Sequence, residues 1–125
     1  MIYGMGCDIA QVSRIEKVFE KPAHLSRCFT PRECAYLLGH PQRIAGAFAA
    51  KEAFAKALGT GFRGFTLLDV EVLRDEWGRP FITADSLRKV LTLANICDSL
   101  RVLLSISHEK EYAVATCILE RAHSH

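Results

Sequence analysis

AGAFAAKEAFAKALGTG, residues 45–61, is the stretch of this 125-residue sequence that decides its fold. Seven alanines lie between Ala45 and Ala57, and alanine has the highest helix propensity of the common residues. The pattern predicts a helix from Pro41 that ends at Gly59-Thr60-Gly61. Because apolar residues cover most of the circumference of this helix, we expect it to lie buried between other elements.

Shorter elements flank the alanine-rich helix in an order typical of an α+β domain. Ile2–Ile9 has the composition of a buried strand interrupted by glycine. Capping boxes at Ser13-x-x-Glu16 and Thr30-Pro31-Arg32-Glu33 predict two helix starts, the second helix reaching Leu38. Further strands are predicted over residues 65–73, 80–83, 100–107 and 112–119, the last two as a hairpin, with a helix over 84–96. We predict one domain over residues 1–120 and a frayed tail over 121–125.

The composition excludes several classes of partner. Sixteen Lys and Arg residues oppose 14 Asp and Glu, and the net charge of +2 favours neither nucleic acid nor a membrane surface. We find no secretory signal and no apolar run of about 18 residues, and therefore expect a cytoplasmic protein. The five cysteines form no CxxC pair, so we expect them to be reduced core residues.

Two acids and a lysine are the first candidates for chemistry. Asp8 ends an apolar strand, whereas Glu52 and Lys56 lie one turn apart on the alanine-rich helix. Two carboxylates from different elements suit Mg²⁺, which proteins hold through one or two carboxylates together with phosphate oxygens. Two structural alternatives stay open at this point. Asp8 could cap the first helix, and Glu52 with Lys56 could form an ordinary surface ion pair.

His108 and Arg79 are candidates for contacts with phosphate. His108 lies where the predicted hairpin turns, beside Lys110, although a histidine in a turn is commonly just solvated. Arg79 belongs to the turn Gly78-Arg79-Pro80 and could hold a phosphate if a nucleotide lay nearby. The glycines of residues 59–64 match neither a phosphate-binding loop nor a dinucleotide fingerprint, so we interpret that segment as a helix stop.

Five segments taken together resemble a known family in their order and spacing. They are GCDIAQVSRI, FTPRECAYLL, AGAFAAKEAFAKALGTG, DVEVLRDEWGRP and SISHEKEYAVATCIL. The chain resembles, from Ile2 to about Glu120, the small holo-acyl-carrier-protein synthases of the 4'-phosphopantetheinyl transferase superfamily. The resemblance implies a single α+β domain whose antiparallel sheet packs against the alanine-rich helix. It also implies transfer of 4'-phosphopantetheine from coenzyme A to a serine of apo acyl carrier protein, in support of fatty acid or polyketide biosynthesis.

The resemblance implies roles for particular residues. Asp8 and Glu52 match the family's metal-binding acids, which would hold Mg²⁺, with Mn²⁺ as the alternative. Lys56 matches the lysine that approaches the reacting phosphate, and His108 matches the histidine associated with the pyrophosphate. Gly78, Arg79 and Pro80 match a segment that helps to hold the nucleotide end and that comes from a neighbouring subunit. The resemblance leaves open whether Glu52 or a water takes the serine proton.

The same resemblance concerns assembly and partners. It implies a homotrimer with active sites between subunits, and a first helix that docks an acidic helix of the carrier protein. The basic residues of this segment are Arg14, Lys17, Lys21 and Arg27. One departure is Ala47, where many relatives carry arginine. The rival hypothesis is a non-catalytic module that binds coenzyme A or a carrier protein on the same fold.

Overall fold

The computed structural model describes residues 1–122 and shows the predicted α+β architecture. The strands are β1 (Ile2–Gln11), β2 (Val72–Arg74), β3 (Pro80–Ile82), β4 (Leu100–His108) and β5 (Tyr112–Arg121). The helices are α1 (Val12–Val18), α2 (Pro22–Cys28), α3 (Pro31–Leu37), α4 (Pro41–Leu58) and α5 (Ala84–Leu93). Strand β5 extends one residue past the predicted end of the domain, and residues 123–125 of the predicted tail lie outside the described residues.

Helix α4 packs across an antiparallel three-stranded sheet of order β1-β5-β4. Close packing is possible because glycines of β1 meet the backbone of α4. A Cβ atom on Gly6 would lie 2.1 Å from the carbonyl oxygen of Ala53, and one on Gly4 would lie 2.1 Å from that of Ala57. A step of two residues along β1 therefore corresponds to about one turn along α4. Asp8, two residues beyond Gly6, comes beside the preceding turn of α4, which carries Glu52.

The helix boundaries show which local signals were decisive. The capping box at Thr30 is present, with the Glu33 N–H donating to Thr30 Oγ1 and the Thr30 N–H donating to Glu33 Oε1. The box predicted at Ser13 is wrong, because α1 begins at Val12 directly after the strand and its N-cap residue makes no side-chain cap. Helix α5 ends before residue 96, since Asn95 adopts a left-handed backbone with φ of 58°.

Two other predictions of secondary structure are corrected. Helix α2 was not predicted. Most of the predicted strand over 65–73 is wrong, because Asp69 Oδ2 accepts the Thr66 N–H and Leu67–Asp69 forms a short 3-10 helix. Within this stretch only β2 (Val72–Arg74) forms a strand, and it pairs with β3 in a separate two-stranded sheet.

Strand β1 and the cysteines are less buried than predicted. Only one face of β1 packs on α4, and Met5 and Ile9 on the other face are about two-thirds exposed. Cys117 is buried as expected, but Cys7 and Cys97 are exposed and therefore are not core residues. All five cysteines are free. Within the described residues, no helix has the length and apolar character needed to cross a membrane.

Lys51 is a completely buried lysine that the sequence analysis did not single out. Its Nζ donates to Glu33 Oε1 at 2.9 Å and to the carbonyl oxygens of Cys28 and Leu67, each at 2.8 Å. Burial lowers the pKa of Lys51 and raises the pKa of Glu33, and their mutual attraction opposes both shifts. Three acceptors around Nζ require three N–H donors, so we assign an ammonium paired with a carboxylate. This cluster joins α4 to α3, to the end of α2 and to the 3-10 turn.

Candidate active site

Asp8 and Lys56 form an ion pair across the contact of β1 with α4. Lys56 Nζ donates to Asp8 Oδ1 and to the carbonyl oxygen of Cys7, both at 3.0 Å. Asp8 therefore binds a cationic side chain rather than capping α1, whose N-cap is Gln11. The salt bridge of Lys56 is made to Asp8 and not to Glu52, so the alternative of a simple surface pair on the helix is also wrong.

Glu52 adds a second carboxylate to the same place. Burial raises the pKa of Glu52, the negative charge of Asp8 raises it further, and Lys56 lowers it. The two acids therefore repel each other, and a cation between them would relieve that repulsion. The hydrogen bond to Asp8 raises the pKa of Lys56, so Lys56 remains an ammonium at neutral pH and acts as a cation rather than as a base.

A cleft with a volume of about 350 Å³ opens beside the two acids. Asp8 and Glu52 line it together with Arg14 of α1 and with the apolar side chains of Ile15, Val18 and Phe48. Apolar walls with a few polar groups are typical of small-molecule sites. Arg14 was predicted as a contact for a protein partner, and the structure places it at the rim of the acid cleft.

The donor set suits a cation that keeps part of its coordination for water and substrate. Among residues 1–122, no cluster of three or more His, Cys, Asp or Glu side chains could hold a metal ion. Asp8 and Glu52 are thus two carboxylates without further protein ligands, which fits Mg²⁺ or Mn²⁺ and not a closed zinc site. The residues present fit the predicted metal ion.

His108 lies outside this cleft in the single chain. It is exposed at the end of β4 and lines a separate cleft of about 610 Å³ with His40, Arg43 and Lys110. The guanidinium of Arg43 lies 4.2 Å from the centre of the Tyr36 ring, and its Nη1 donates to the Tyr36 carbonyl oxygen. His40 and Arg43 could not be found from the sequence, because only tertiary packing brings the start of α4 to the β4–β5 turn.

The predicted nucleotide segment lies at the opposite edge of the sheet. Gly78, Arg79 and Pro80 belong to the β2–β3 hairpin and line a cleft of about 550 Å³ together with residues 102–106 of β4. Strand β5 separates β4 from β1, so the backbones of β4 and β1 are about 10 Å apart. One chain therefore does not bring Arg79 to Asp8 and Glu52.

The four predicted partner contacts are all exposed but do not share one helix. Arg14 and Lys17 lie on α1, Lys21 precedes α2, and Arg27 lies in the last turn of α2. Ala47, where the resemblance led us to note a missing arginine, is buried in the core on α4. This chain therefore has no basic side chain at the position where many relatives carry arginine.

Comparisons with known proteins agree with one another. Residues 4–117 match the family model described as the 4'-phosphopantetheinyl transferase superfamily. A holo-[acyl-carrier-protein] synthase of Clostridium botulinum (strain Alaska E43 / Type E3) is 45% identical, over 96% of this chain and 98% of its own length.

Two solved structures have the same fold as this chain. The holo-[acyl-carrier-protein] synthase of Neisseria meningitidis superposes with a TM-score of 0.81 at 37% identity, covering 96% of this chain and 99% of that one. The enzyme of Bacillus anthracis, solved in complex with CoA (3',5'-ADP), gives a TM-score of 0.78 at 38% identity, covering 98% and 99%.

Proposed function

This chain belongs to the 4'-phosphopantetheinyl transferase superfamily, and we propose on that premise that it moves 4'-phosphopantetheine from coenzyme A to a serine of apo acyl carrier protein. The second product is adenosine 3',5'-bisphosphate. The observation that carries the proposal is that Asp8 and Glu52 line one cleft and that Lys56 pairs with Asp8. A binding module without turnover would have no need of two repelling carboxylates beside a protonated lysine.

The residues of the cleft have distinct parts in the reaction. Asp8 and Glu52 would hold Mg²⁺, with Mn²⁺ as a second candidate, and the metal ion would supply charge neutralisation on the pyrophosphate oxygens. The serine oxygen forms a bond to the β-phosphorus, and the bond from that phosphorus to the bridging oxygen of the leaving adenosine bisphosphate breaks. The serine proton passes to Glu52 or to water.

Lys56 is the residue of this chain best suited to contact the reacting phosphate. Its side chain is about half exposed, and its ammonium lies at the carboxylate of Asp8. Positive charge held at this position stabilises the negative charge that accumulates on the phosphate oxygens as the bond breaks. His108 would contribute a further contact to the pyrophosphate if a second subunit brings it to the cleft.

We propose that the chain works as a homotrimer whose sites lie between subunits. Two observations support this. The face of the sheet that points away from α4 exposes apolar side chains, among them Met5, Ile9 and Leu103, and such a patch is typical of a protein interface. The acid cleft and the clefts of His108 and Arg79 lie apart in one chain, and a neighbouring copy could join them.

Mixing of inactive variants tests the shared site. We expect Glu52→Gln and Arg79→Ala each to be impaired alone, because each removes one half of a site built by two subunits. Dissociating and reassembling the two variants together should restore part of the wild-type rate, since some interfaces then carry both intact halves. If the mixture is no more active than its components while native mass spectrometry shows mixed oligomers, the shared site is contradicted.

The basic residues of α1 and α2 support an acidic carrier protein as the partner. Arg14, Lys17, Lys21 and Arg27 outnumber Glu16 and Glu20 in this segment, and all four basic side chains are exposed. Arg14 also reaches the acid cleft, so a carrier docked here would present its serine beside Asp8 and Glu52. Long-range attraction of this kind increases the association rate.

With phosphopantetheine transfer as its function, the protein would act in the cytoplasm in support of fatty acid or polyketide synthesis.

A direct transfer assay tests the function. The protein is incubated with apo acyl carrier protein, coenzyme A and Mg²⁺, and the carrier is weighed by mass spectrometry. We expect one added phosphopantetheine per carrier, at a rate that falls as salt rises, because salt screens the attraction to the basic segment. A panel of carrier proteins would define which are substrates. Carriers that bind but stay unmodified would favour the binding module.

A further inference from the structure

Lys56 and a metal ion need the same carboxylate. The ammonium of Lys56 donates to Asp8 Oδ1 and to the carbonyl oxygen of Cys7, each at 3.0 Å. A divalent cation held by Asp8 would bind to the same carboxylate group, and a neighbouring ammonium would repel that cation. Lys56 is therefore a competitor of the metal ion for Asp8.

The described chain has no spare ligand to compensate for this competition. Residues 1–122 contain no cluster of three or more His, Cys, Asp or Glu side chains that could hold a metal ion. A site made of Asp8 and Glu52 alone depends on both carboxylates. The pairing of Asp8 with Lys56 should thus lower the affinity of the whole site for a divalent cation.

The far end of the Lys56 side chain can change its partner. Its Cβ atom lies against β1, where a Cβ atom on Gly6 would come within 2.9 Å of it. Beyond this fixed base, 54% of the Lys56 side chain is exposed, whereas Asp8 is 17% exposed. Ion pairs of exposed lysines are weak, because water competes for the charges. The ammonium can therefore leave Asp8 for a stronger partner while α4 stays in place.

The charges of the site favour two ligands over one. Asp8, Glu52 and Lys56 together carry one net negative charge. A divalent cation alone would reverse the sign of that charge, and a pyrophosphate alone would bring more negative charge to the two acids. Bound together, the cation and the pyrophosphate neutralise each other. Each ligand should therefore bind more tightly when the other is present.

We propose that Lys56 exchanges its partner on binding, pairing with Asp8 until coenzyme A is bound and then moving its ammonium to the pyrophosphate. This inference rests on the proposed function for the identity of the two ligands. The exchange releases the carboxylate of Asp8 for the metal ion, so the affinity for the metal ion is low without substrate. By thermodynamic linkage, coenzyme A and the metal ion increase each other's affinity by the same factor.

Binding of Mn²⁺ tests the exchange without any transfer reaction. Electron paramagnetic resonance of the unbound ion gives the affinity of the wild type for Mn²⁺, alone and with coenzyme A, after subtraction of the Mn²⁺ that coenzyme A itself binds. We expect coenzyme A to increase this affinity on the order of tenfold. Calorimetric titration of coenzyme A with and without Mn²⁺ should give the same factor. An unchanged affinity for Mn²⁺, at a coenzyme A concentration that calorimetry shows to be saturating, would overturn the inference.

Substitution of Lys56 tests the competition for Asp8 directly. Lys56→Met replaces the ammonium by an uncharged end of similar length, so this variant should bind Mn²⁺ alone on the order of tenfold more tightly than the wild type. Lys56→Arg keeps the positive charge and should bind Mn²⁺ no more tightly than the wild type. Coenzyme A should increase the Mn²⁺ affinity of Lys56→Met by a smaller factor than in the wild type, because no ammonium has to leave Asp8.

Lys89→Met is the matched control, because Lys89 is similarly exposed and also pairs with a partly buried aspartate, Asp69, at 2.8 Å. It removes the same charge away from the acid cleft and should bind Mn²⁺ like the wild type. If Lys56→Met binds Mn²⁺ no more tightly than Lys89→Met, the inference is overturned, whether or not coenzyme A binds.

The transfer assay on the wild-type preparation separates this inference from the proposed function. Transfer by the wild type, combined with equal Mn²⁺ affinities of Lys56→Met and Lys89→Met, refutes only the exchange of partners. Tighter binding of Mn²⁺ by Lys56→Met without transfer by the wild type supports the competition for Asp8 and refutes the proposed function.

Discussion

Replacing either Asp8 by asparagine or Glu52 by glutamine is expected to lower the rate of transfer on the order of a thousandfold. Each change keeps the shape of the side chain but removes one of the two charges that would hold the metal ion. Charge neutralisation by a metal ion contributes several kcal/mol to stabilising a phosphoryl transition state, and about 1.4 kcal/mol corresponds to a factor of ten in rate. The measurement is the initial rate of carrier modification as a function of Mg²⁺ concentration.

The fold should survive both substitutions. Glu52 is partly buried beside the like charge of Asp8, so the neutral amide in Glu52→Gln removes a repulsion. We therefore expect the melting temperature of Glu52→Gln without metal to equal or exceed that of the wild type. Asp85→Asn is the matched control, because Asp85 is an exposed acid on α5 away from the cleft. A normal rate in either the Asp8 or the Glu52 variant, at any metal concentration, would contradict the assignment of the metal site.

The elements of the fold that are determined by residues close in the chain could be predicted. The alanine-rich helix, the Thr30 capping box and the terminal hairpin each depend on residues close in the chain, and the structure confirms all three. The predicted strand over 65–73 failed for an equally local reason. Its apolar pattern competes with a side-chain bond from Asp69 to the Thr66 backbone, and the side-chain bond determined the conformation.

The site could be predicted only in part, since tertiary contacts decide the rest. Asp8, Glu52 and Lys56 were identified, but their arrangement depends on Gly4 and Gly6 meeting the α4 backbone, which fixes the register of strand against helix. Nothing in the local sequence distinguishes Lys51 from Lys56. Lys51 is inside the protein and Lys56 is half exposed, although both lie on the same apolar helix.

Replacing Lys51 by methionine is expected to lower the free energy of unfolding by about 3–5 kcal/mol, because it leaves the buried Glu33 carboxylate without its cation. It also leaves the carbonyl oxygens of Cys28 and Leu67 without a donor. A domain of this size has a total stability of roughly 5–15 kcal/mol, so the loss would be a large fraction of it. Urea denaturation followed by circular dichroism measures the change.

A second substitution distinguishes the cost of an unpaired buried charge from that of a simple packing defect. Glu33→Gln in the Lys51→Met background removes the carboxylate but keeps an oxygen that can accept the Val72 or Thr30 N–H, so the double variant should be more stable than Lys51→Met alone. Lys89→Met, which breaks the pair of the exposed Lys89 with the partly buried Asp69, should cost about 1 kcal/mol or less, because Asp69 keeps its hydrogen bonds from Thr66. If Lys51→Met were as mild as Lys89→Met, the buried ion pair could not be what fastens α2, α3 and the 3-10 turn to α4. Because Lys51 precedes Glu52 on the same helix, that attachment also bears on how firmly the metal-binding acid is held.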